Sequence, residues 1–295
     1  MVNLTSFKLV HTSPITVTQF LDFFESAPHL REVRLSSMAP ITGAQNGRLV
    51  SLACLTKMNT RGHHPSSPLF DHVLIPVGAH VRIRVDLPIP LVNGRPPRFL
   101  NNLTNLPNFT AIKLEDGPSR MLFSGPNGEV RVVPQVDGTC LMLGSLTNFD
   151  TSKTERLEIK CGKCPFSDPI YGALLPMKDL RTLTLTRCED PRIFVRALHH
   201  GISLSGVVVC PKLEMLVIEH DGTFDIKDIV ETAAVRASRG AKLKTVRIFP
   251  FHKTVNSRLD VLELKKYVLH VESWRDQPQR SRWNEEGRGG NGGVL

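Results

Sequence analysis

The sequence predicts an α/β fold in which short parallel strands form one sheet and helices lie behind it. Three observations support this fold class: a short apolar pattern recurs along the chain, helical periodicity follows several of its copies, and turn-forming residues are frequent. The 295 residues include 21 Gly and 21 Pro, which divide the chain into many short elements. Hydrophobic residues make up 41% of the chain, enough to bury a sizeable core, so a wholly disordered protein is excluded.

The recurring pattern is an apolar residue, two spacers, a second apolar residue, one spacer and a third apolar residue. Its last three positions alternate, which is typical of a strand with one buried face. We assign nine copies, some imperfect, beginning at Leu4, Leu30, Leu55, Val81, Phe109, Leu157, Leu180, Leu213 and Leu243. The starts are on average about 30 residues apart, at the upper end of the range for leucine-rich repeats. The sequence therefore predicts a leucine-rich-repeat solenoid, a horseshoe with a parallel sheet on its concave face.

Helices are predicted between several copies. The first is amphipathic, is capped by Thr16 or Ser13, and ends at Pro28. Its apolar stripe consists of Val17, Phe20, Leu21 and Phe24. Two further helices are predicted from Pro191 to a cap at Gly201 and from Ile226 to Gly240. A final helix is predicted from the apolar residues Leu264, Tyr267, Val268 and Val271.

The middle of the chain fits the pattern less well. Residues 86–150 are rich in Pro, Gly and Asn, and we predict no helix there. Met121 to Val133 predicts a protruding β-hairpin with Asn127-Gly128 at its turn. We therefore expect one solenoid domain over residues 1–274, irregular over about 86–150, and a disordered tail over 275–295.

The segment Leu180-Arg-Thr-Leu-Thr-Leu-Thr-Arg-Cys188 resembles the cysteine-containing leucine-rich repeat of F-box proteins. The wider chain, over about 1–272, is similar to the repeat region of the F-box-like proteins of mushroom-forming fungi. The stretches that carry this similarity are Ile15 to Leu35, Arg48 to Leu55 and Cys210 to Leu216. The resemblance implies the substrate-recognition part of a ubiquitin-ligase receptor. Asp190 departs from the family pattern, and no F-box module precedes the repeats, so adaptor docking is not encoded in this chain.

Motifs typical of enzymes are missing from the sequence. There is no phosphate-binding glycine loop and no nucleophile elbow, so we predict a protein that is not an enzyme, with no cofactor, metal or catalytic residues. We interpret Cys161 and Cys164 as turn and core cysteines, with zinc binding and redox chemistry as alternatives. Neither His63-His64 nor His199-His200 is a natural pair of metal ligands, because adjacent side chains diverge, and we interpret His63 and His64 as solvated loop residues. Without a secretion signal or an apolar span, we expect a cytoplasmic or nuclear protein and no membrane partner.

The spacer residues of the strands are the best functional candidates, because they alternate with the buried positions and face the concave side. In the first five copies these positions hold seven Lys or Arg against Glu32 and Glu115. Such a cluster favours an acidic partner, although it is also compatible with a merely solvated sheet face. The predicted partner-binding residues are Lys8, Arg34, Lys57, Arg61, Arg82, Arg84, Lys113 and Arg247.

Two functions follow from this surface. The first is a protein-interaction scaffold that binds an acidic protein partner, in the role of the F-box-type substrate receptor. The alternative is a basic nucleic-acid-binding repeat protein, which the net charge of +9 favours. Nucleic acid is the less favoured partner, because no recognised nucleic-acid motif occurs and Tyr and Trp, two of each, are too few for a stacking platform.

Overall fold

The structure is a computed structural model of α/β class with one large, mostly parallel sheet. It describes residues 3–10, 15–36, 47–62, 69, 72–76, 78–85, 109–115, 120–126, 128–132, 139–146, 151–160, 168–220, 225–250 and 258–273. The predicted tail over 275–295 lies outside these ranges, as do Ser13, His63, His64, Asn127, Cys161 and Cys164.

Fourteen strands and six helices are formed by the described residues. The strands are β1 (Ser6–Val10), β2 (Glu32–Ser36), β3 (Val50–Ser51), β4 (Lys57–Gly62), β5 (Val73–Leu74), β6 (His80–Val85), β7 (Ala111–Glu115), β8 (Arg120–Gly125), β9 (Gly128–Val132), β10 (Arg156–Lys160), β11 (Thr182–Thr186), β12 (Met215–His220), β13 (Thr245–Pro250) and β14 (His270–Ser273). The helices are α1 (Val17–Ser26), α2 (Thr139–Leu146), α3 (Asp168–Leu174), α4 (Arg192–Ser205), α5 (Lys227–Ser238) and α6 (Arg258–Tyr267).

Twelve of these strands form a single sheet in the order β1-β2-β4-β6-β9-β8-β7-β10-β11-β12-β13-β14. All nine copies of the apolar pattern are strands of this sheet, and they run in one direction. Equivalent positions are in register, so that Leu157, Leu183, Leu216 and Val246 form one row of neighbours. The nine strands predicted from the sequence are therefore confirmed, together with their common direction.

The sheet contains one strand that the sequence did not predict. Val271 lies in β14, opposite Val246, and not in the final helix, which ends at Tyr267. The alternation of His270, Val271 and Glu272 has the period of a strand. This correction adds Glu272 to the solvent-facing side of the sheet, opposite Arg247.

The predicted hairpin is confirmed, but it does not protrude. Strands β8 and β9 form an antiparallel pair within the large sheet, where β9 lies beside β6 and β8 lies beside β7. The close approach of β9 to β6 requires glycine at position 128, where φ is +143° and an added Cβ would lie 1.9 Å from the carbonyl oxygen of Val81. The described strands of the middle, β7 to β9, are thus part of the same sheet.

A second layer packs against the buried side of the sheet. Helix α1 contacts β3, which pairs with β5, and the helices α2 to α6 contact one another in chain order. We predicted no helix over 86–150, but Thr139–Leu146 forms α2, which has only eight residues, although its buried residues Met142, Leu143 and Leu146 have the spacing of one helix face. Helix α3 was missed as well.

The helix ends follow local chemistry. Thr16 caps α1 through a capping box, in which its hydroxyl accepts a hydrogen bond from the Gln19 amide and the Gln19 side chain accepts one from the Thr16 amide. Gly240 follows α5 as predicted. Gly201 does not end α4, which continues to Ser205 and is followed by Gly206 at φ +69°. An internal glycine weakens a helix by only about 1 kcal/mol, so it does not define the end.

The core lies between the two layers. Inward strand positions such as Val33, Met58, Leu114 and Leu183 are at most 1% exposed, and they meet the apolar stripes of the helices. Burying each such side chain contributes about 1.5–3 kcal/mol. This core fixes which strand positions face the solvent, and the candidate site is built on those outward positions.

Candidate functional site

The predicted partner-binding residues occupy outward strand positions. One row across four neighbouring strands runs from Lys8 to Arg34, then through Asn59 to Arg82. Neighbouring strands are about 4.8 Å apart, so these side chains form a continuous line. We call the outward residues of β1, β2, β4 and β6 the basic region, whose described side chains are Ser6, Lys8, Val10, Glu32, Arg34, Ser36, Lys57, Asn59, Arg61, His80 and Arg82.

A second row adds further charge of the same sign. Arg61 lies opposite Arg84 in register, and Arg84 lies opposite Arg131 of β9. For Arg84 only the backbone position belongs to the described structure. Like charges placed opposite each other on adjacent strands disfavour the isolated sheet. The structure thus brings six of the eight predicted residues onto four adjacent strands: Lys8, Arg34, Lys57, Arg61, Arg82 and Arg84.

One carboxylate lies within the basic region. Arg34 Nη2 donates to Glu32 Oε1 at 2.8 Å, and Lys57 Nζ lies 3.4 Å from the same oxygen. The hydrogen bond from Arg34, with a smaller contribution from Lys57, holds the pKa of the Glu32 carboxyl below its ordinary value. Two cations therefore share one anion, which leaves an excess of positive charge over these strands.

A shallow groove of about 470 Å³ lies in the basic region at the start of β4 and β6. Lys57, Asn59, His80 and Arg82 contribute its polar side chains, and Thr56 and Met58 complete it. Arg82 Nε lies 3.4 Å from an oxygen of Glu129 on β9. The groove offers cationic and amide donors, which suit the carboxylates of an acidic segment.

His80 belongs to this groove but was not among the predicted residues. It precedes Arg82 by two positions on β6, so it has the same outward orientation. Extending the alternation His80-x-Arg82-x-Arg84 by one step toward the N-terminus would have found it. Glu129 was missed for a different reason, because its position beside Arg82 depends on the pairing of β9 with β6.

Lys113 and Arg247 lie in different surroundings from the other predicted residues. Lys113 Nζ is 2.8 Å from Glu158 and 3.3 Å from Glu115. These two carboxylates, Glu158 foremost, raise the pKa of Lys113. Arg247 is on β13, seven strands beyond β6 in the order of the sheet, and its Nη2 donates to Glu272 at 3.1 Å. Both cations are compensated by neighbouring strands, so neither extends the basic region.

A second groove, of about 280 Å³, lies at the start of β10 to β13. Its charged residues are three cations, Arg156, Arg181 and Lys244, and two carboxylates, Glu155 and Glu214. Lys244 Nζ donates to Glu214 Oε1 at 2.7 Å, and this contact lowers the pKa of Glu214. Two carboxylates therefore line this groove beside its cations, whereas no carboxylate lines the groove in the basic region.

The solvent-facing side of β11 to β13 is largely uncharged. Its β11 positions are Thr182, Thr184 and Thr186. We call Met215 and Val217 on β12, with Phe249 on β13, the apolar patch; Val217 is 8% exposed, and the other two are partly exposed. Phe249 lies opposite Glu219 and hence diagonal to Val217, within reach of an aromatic side chain.

Two thiols and one guanidinium are buried close to these strands. Cys188 Sγ lies 3.9 Å from the Ile159 carbonyl oxygen. Cys210 Sγ donates to Leu174 at 3.3 Å, and burial raises the pKa of this thiol to about 12, which makes it a poor nucleophile. Arg236, fully buried, donates to the carbonyls of Val209 and Cys210 at 2.7 and 2.9 Å. These groups secure the chain that leads into β12.

No protein-family model matches the chain, and no curated protein sequence matches it. Within the described ranges, no three His, Cys, Asp or Glu residues are grouped so that they could hold a metal ion. In the same part of the chain, no helix has both the length and the apolar character needed to cross a membrane.

Proposed function

We propose that the chain is a protein-interaction scaffold whose basic region binds an acidic segment of a partner protein. The observation that carries this proposal is the charge of the basic region. Its described outward positions hold five Lys or Arg against a single carboxylate, that of Glu32. Like charges on neighbouring strands disfavour an isolated sheet, whereas Arg181, Glu214 and Lys244, just before β11, β12 and β13, alternate in sign.

The proposed architecture is a leucine-rich-repeat solenoid with the basic region on its concave face. It is supported by nine strands of one direction, by their residue-for-residue register, and by a second layer that follows in chain order. Stacked units of this kind bury a continuous core and present a long surface, which suits binding to an extended partner.

The proposed cellular role is substrate recognition in an F-box-type ubiquitin ligase. Its support is the resemblance of Leu180 to Cys188 to the cysteine-containing repeat. In this segment Leu183 and Leu185 are buried in β11, and Cys188 is buried immediately after the strand. The leucine and cysteine positions of the repeat pattern therefore coincide with buried positions in and just after β11.

Binding is tested by fluorescence anisotropy with a synthetic peptide of Glu and Asp residues, a matched Gln and Asn peptide, and a single-stranded RNA of equal length. We expect the acidic peptide alone to bind, with an affinity that falls as salt increases. Stronger binding of the RNA would overturn the proposal in favour of a nucleic-acid function. Among the described outward positions of the basic region there is no Phe, Tyr or Trp on which bases could stack.

The matched variants are Arg34→Gln with Lys57→Gln and Arg82→Gln, and a control of equal charge change, Lys178→Gln with Arg239→Gln and Lys242→Gln, at exposed positions outside the sheet. We expect the first triple variant to weaken acidic-peptide binding about tenfold or more and the control to retain it. Equal weakening by both would show only a net-charge effect. The receptor role is tested by fusing an F-box module to the chain and measuring the half-life of a reporter that carries the acidic peptide.

A further inference from the structure

The outward charge of the sheet changes systematically from β1 to β14. The basic region has five Lys or Arg against Glu32. The next strands, β9, β8, β7 and β10, are more nearly balanced, with Arg131, Arg120, Lys113, Arg156 and Lys160 against Glu129, Glu115 and Glu158. The last strands, β11 to β14, have Arg247 against Glu219 and Glu272. The face therefore runs from strongly basic to slightly acidic.

The apolar patch lies at the uncharged end of this gradient. Met215 and Val217 are two residues apart on β12 and so share one side, with Thr182 and Thr184 beside them on β11. Phe249 adds an aromatic ring from β13. Apolar side chains on the solvent-facing side of a sheet, bordered by Thr hydroxyls and by the Arg247–Glu272 pair, are typical of an anchor site for an apolar residue.

The distance between the basic region and the apolar patch follows from the order of the strands. From β6 to β12 there are six strand steps, through β9, β8, β7, β10 and β11. At about 4.8 Å a step, this is a distance of about 29 Å. An extended chain spans about 3.3–3.6 Å per residue, so about eight or nine residues cover the interval.

We propose that the partner is an extended segment with two anchors: an acidic stretch that lies over Lys57 and Arg82, and an apolar residue that lies on Met215, Val217 and Phe249. About eight or nine residues separate the two anchors. This inference rests on the proposed function and adds the orientation, spacing and second anchor of the bound segment. The charge gradient places the acidic end over β1 to β6, because the opposite orientation would bring it to Glu219 and Glu272.

The experiment measures spacing with rigid peptides. Each peptide has four Glu, a run of prolines and a terminal Leu-Leu, in both sequence orders, and is compared with a peptide of four Glu alone. Proline runs of four, nine and fourteen residues span about 12, 28 and 43 Å, because polyproline rises about 3.1 Å per residue. We expect the nine-proline peptide of one order to bind about tenfold more tightly than the shorter and longer peptides.

The anchor is tested by the double variant Met215→Ser and Phe249→Ser, with Leu262→Ser in α6 as the control, since Leu262 is apolar, 52% exposed and outside the sheet. The double variant should abolish the preference for nine prolines, and Leu262→Ser should retain it. Affinity that does not depend on proline number, or a preference that survives the double variant, overturns the inference. When either of these results overturns the inference alone, the peptide of four Glu still binds. Failure of that peptide to bind at all would instead refute the proposed function.

Discussion

The strands of the basic region and the strands β10 to β13 have the same kind of inward positions. They differ in the second layer that packs against them and in the residues on their solvent-facing side. Inward positions are apolar in both, from Val33 on β2 to Val246 on β13. The second layer differs, because helices α3 to α6 follow β10 to β13, whereas the chain after β2 and after β4 contributes the two-residue strands β3 and β5. The outward side differs as well, from clustered cations to Thr and apolar residues. The comparison shows that surface chemistry varies here independently of the core pattern.

The largest expected effect compares one core residue from each region. Leu183→Ala in β11 and Met58→Ala in β4 remove side chains that are both fully buried. Each should lower the free energy of unfolding by about 2–5 kcal/mol. Leu183→Ala should cost more, because a site covered by helices collapses less easily than one covered by short strands.

Urea unfolding of both variants measures this difference, with the 40% exposed Leu175→Ala as the control that should change stability little. A larger loss for Met58→Ala would contradict the contrast between the two second layers.

A smaller effect is expected where the two regions are joined. Gly128→Ala places a methyl group against the carbonyl of Val81 and so opposes the pairing of β9 with β6. We expect a loss of about 1–3 kcal/mol. The control is Gly144→Ala in α2, where an added Cβ meets nothing within 4 Å and alanine should instead stabilise the helix. Thermal unfolding measures both, and equal effects of the two substitutions would show that the junction is not strained.

The smallest expected effect is a dependence of stability on pH, for which we consider one ion pair from each region. Arg34 lowers the pKa of Glu32, and Lys244 lowers the pKa of Glu214. A carboxyl group with a lowered pKa in the folded state stabilises the fold above its ordinary pKa, and this stabilisation is lost as the pH falls through the lowered value. Stability should therefore decrease below about pH 5.

Arg34→Gln and Lys244→Gln should each reduce this decrease slightly, because both carboxyl groups are accessible to water and their ion pairs are screened. Lys178→Gln is the matched control. Unfolding free energies at neutral and acidic pH measure the slope, and unchanged slopes in both variants would show that these contacts do not stabilise the fold.

The sequence predicted the strands because each apolar pattern is local, whereas the order of the strands is not. Phe109 to Leu114 was recognised as a strand, yet its place three strands away from β6 depends on pairings between distant segments. Helix α2 was missed because it has only eight residues, of which Met142, Leu143 and Leu146 are buried, in a part of the chain rich in Pro, Gly and Asn. Val271 was misassigned to a helix because a short apolar segment is compatible with both the helix period and the strand period.

The candidate site was predictable to the same extent. Alternation alone gave the outward orientation of Arg34, Lys57 and Arg82. It could not give their compensation, because the contact of Lys113 with Glu158 depends on the register of β7 and β10, and that of Arg82 with Glu129 depends on β9. Cross-strand pairing, and not residue type, therefore decides which carboxylate lies beside each cation, Glu129 beside Arg82 and Glu158 beside Lys113.

The strands β7, β8 and β9 in the middle of the sheet have a further consequence for the direction of the chain. Between β6 and β10 the direction of the sheet reverses twice, once from β9 to β8 and once from β8 to β7. The two reversals cancel, so β10 and every later strand point the same way as β1. Crossover connections are right-handed, and a single reversal would have moved all later helices to the opposite side of the sheet. Insertions at this point are therefore compatible with an unbroken solvent-facing surface only when they change the chain direction an even number of times.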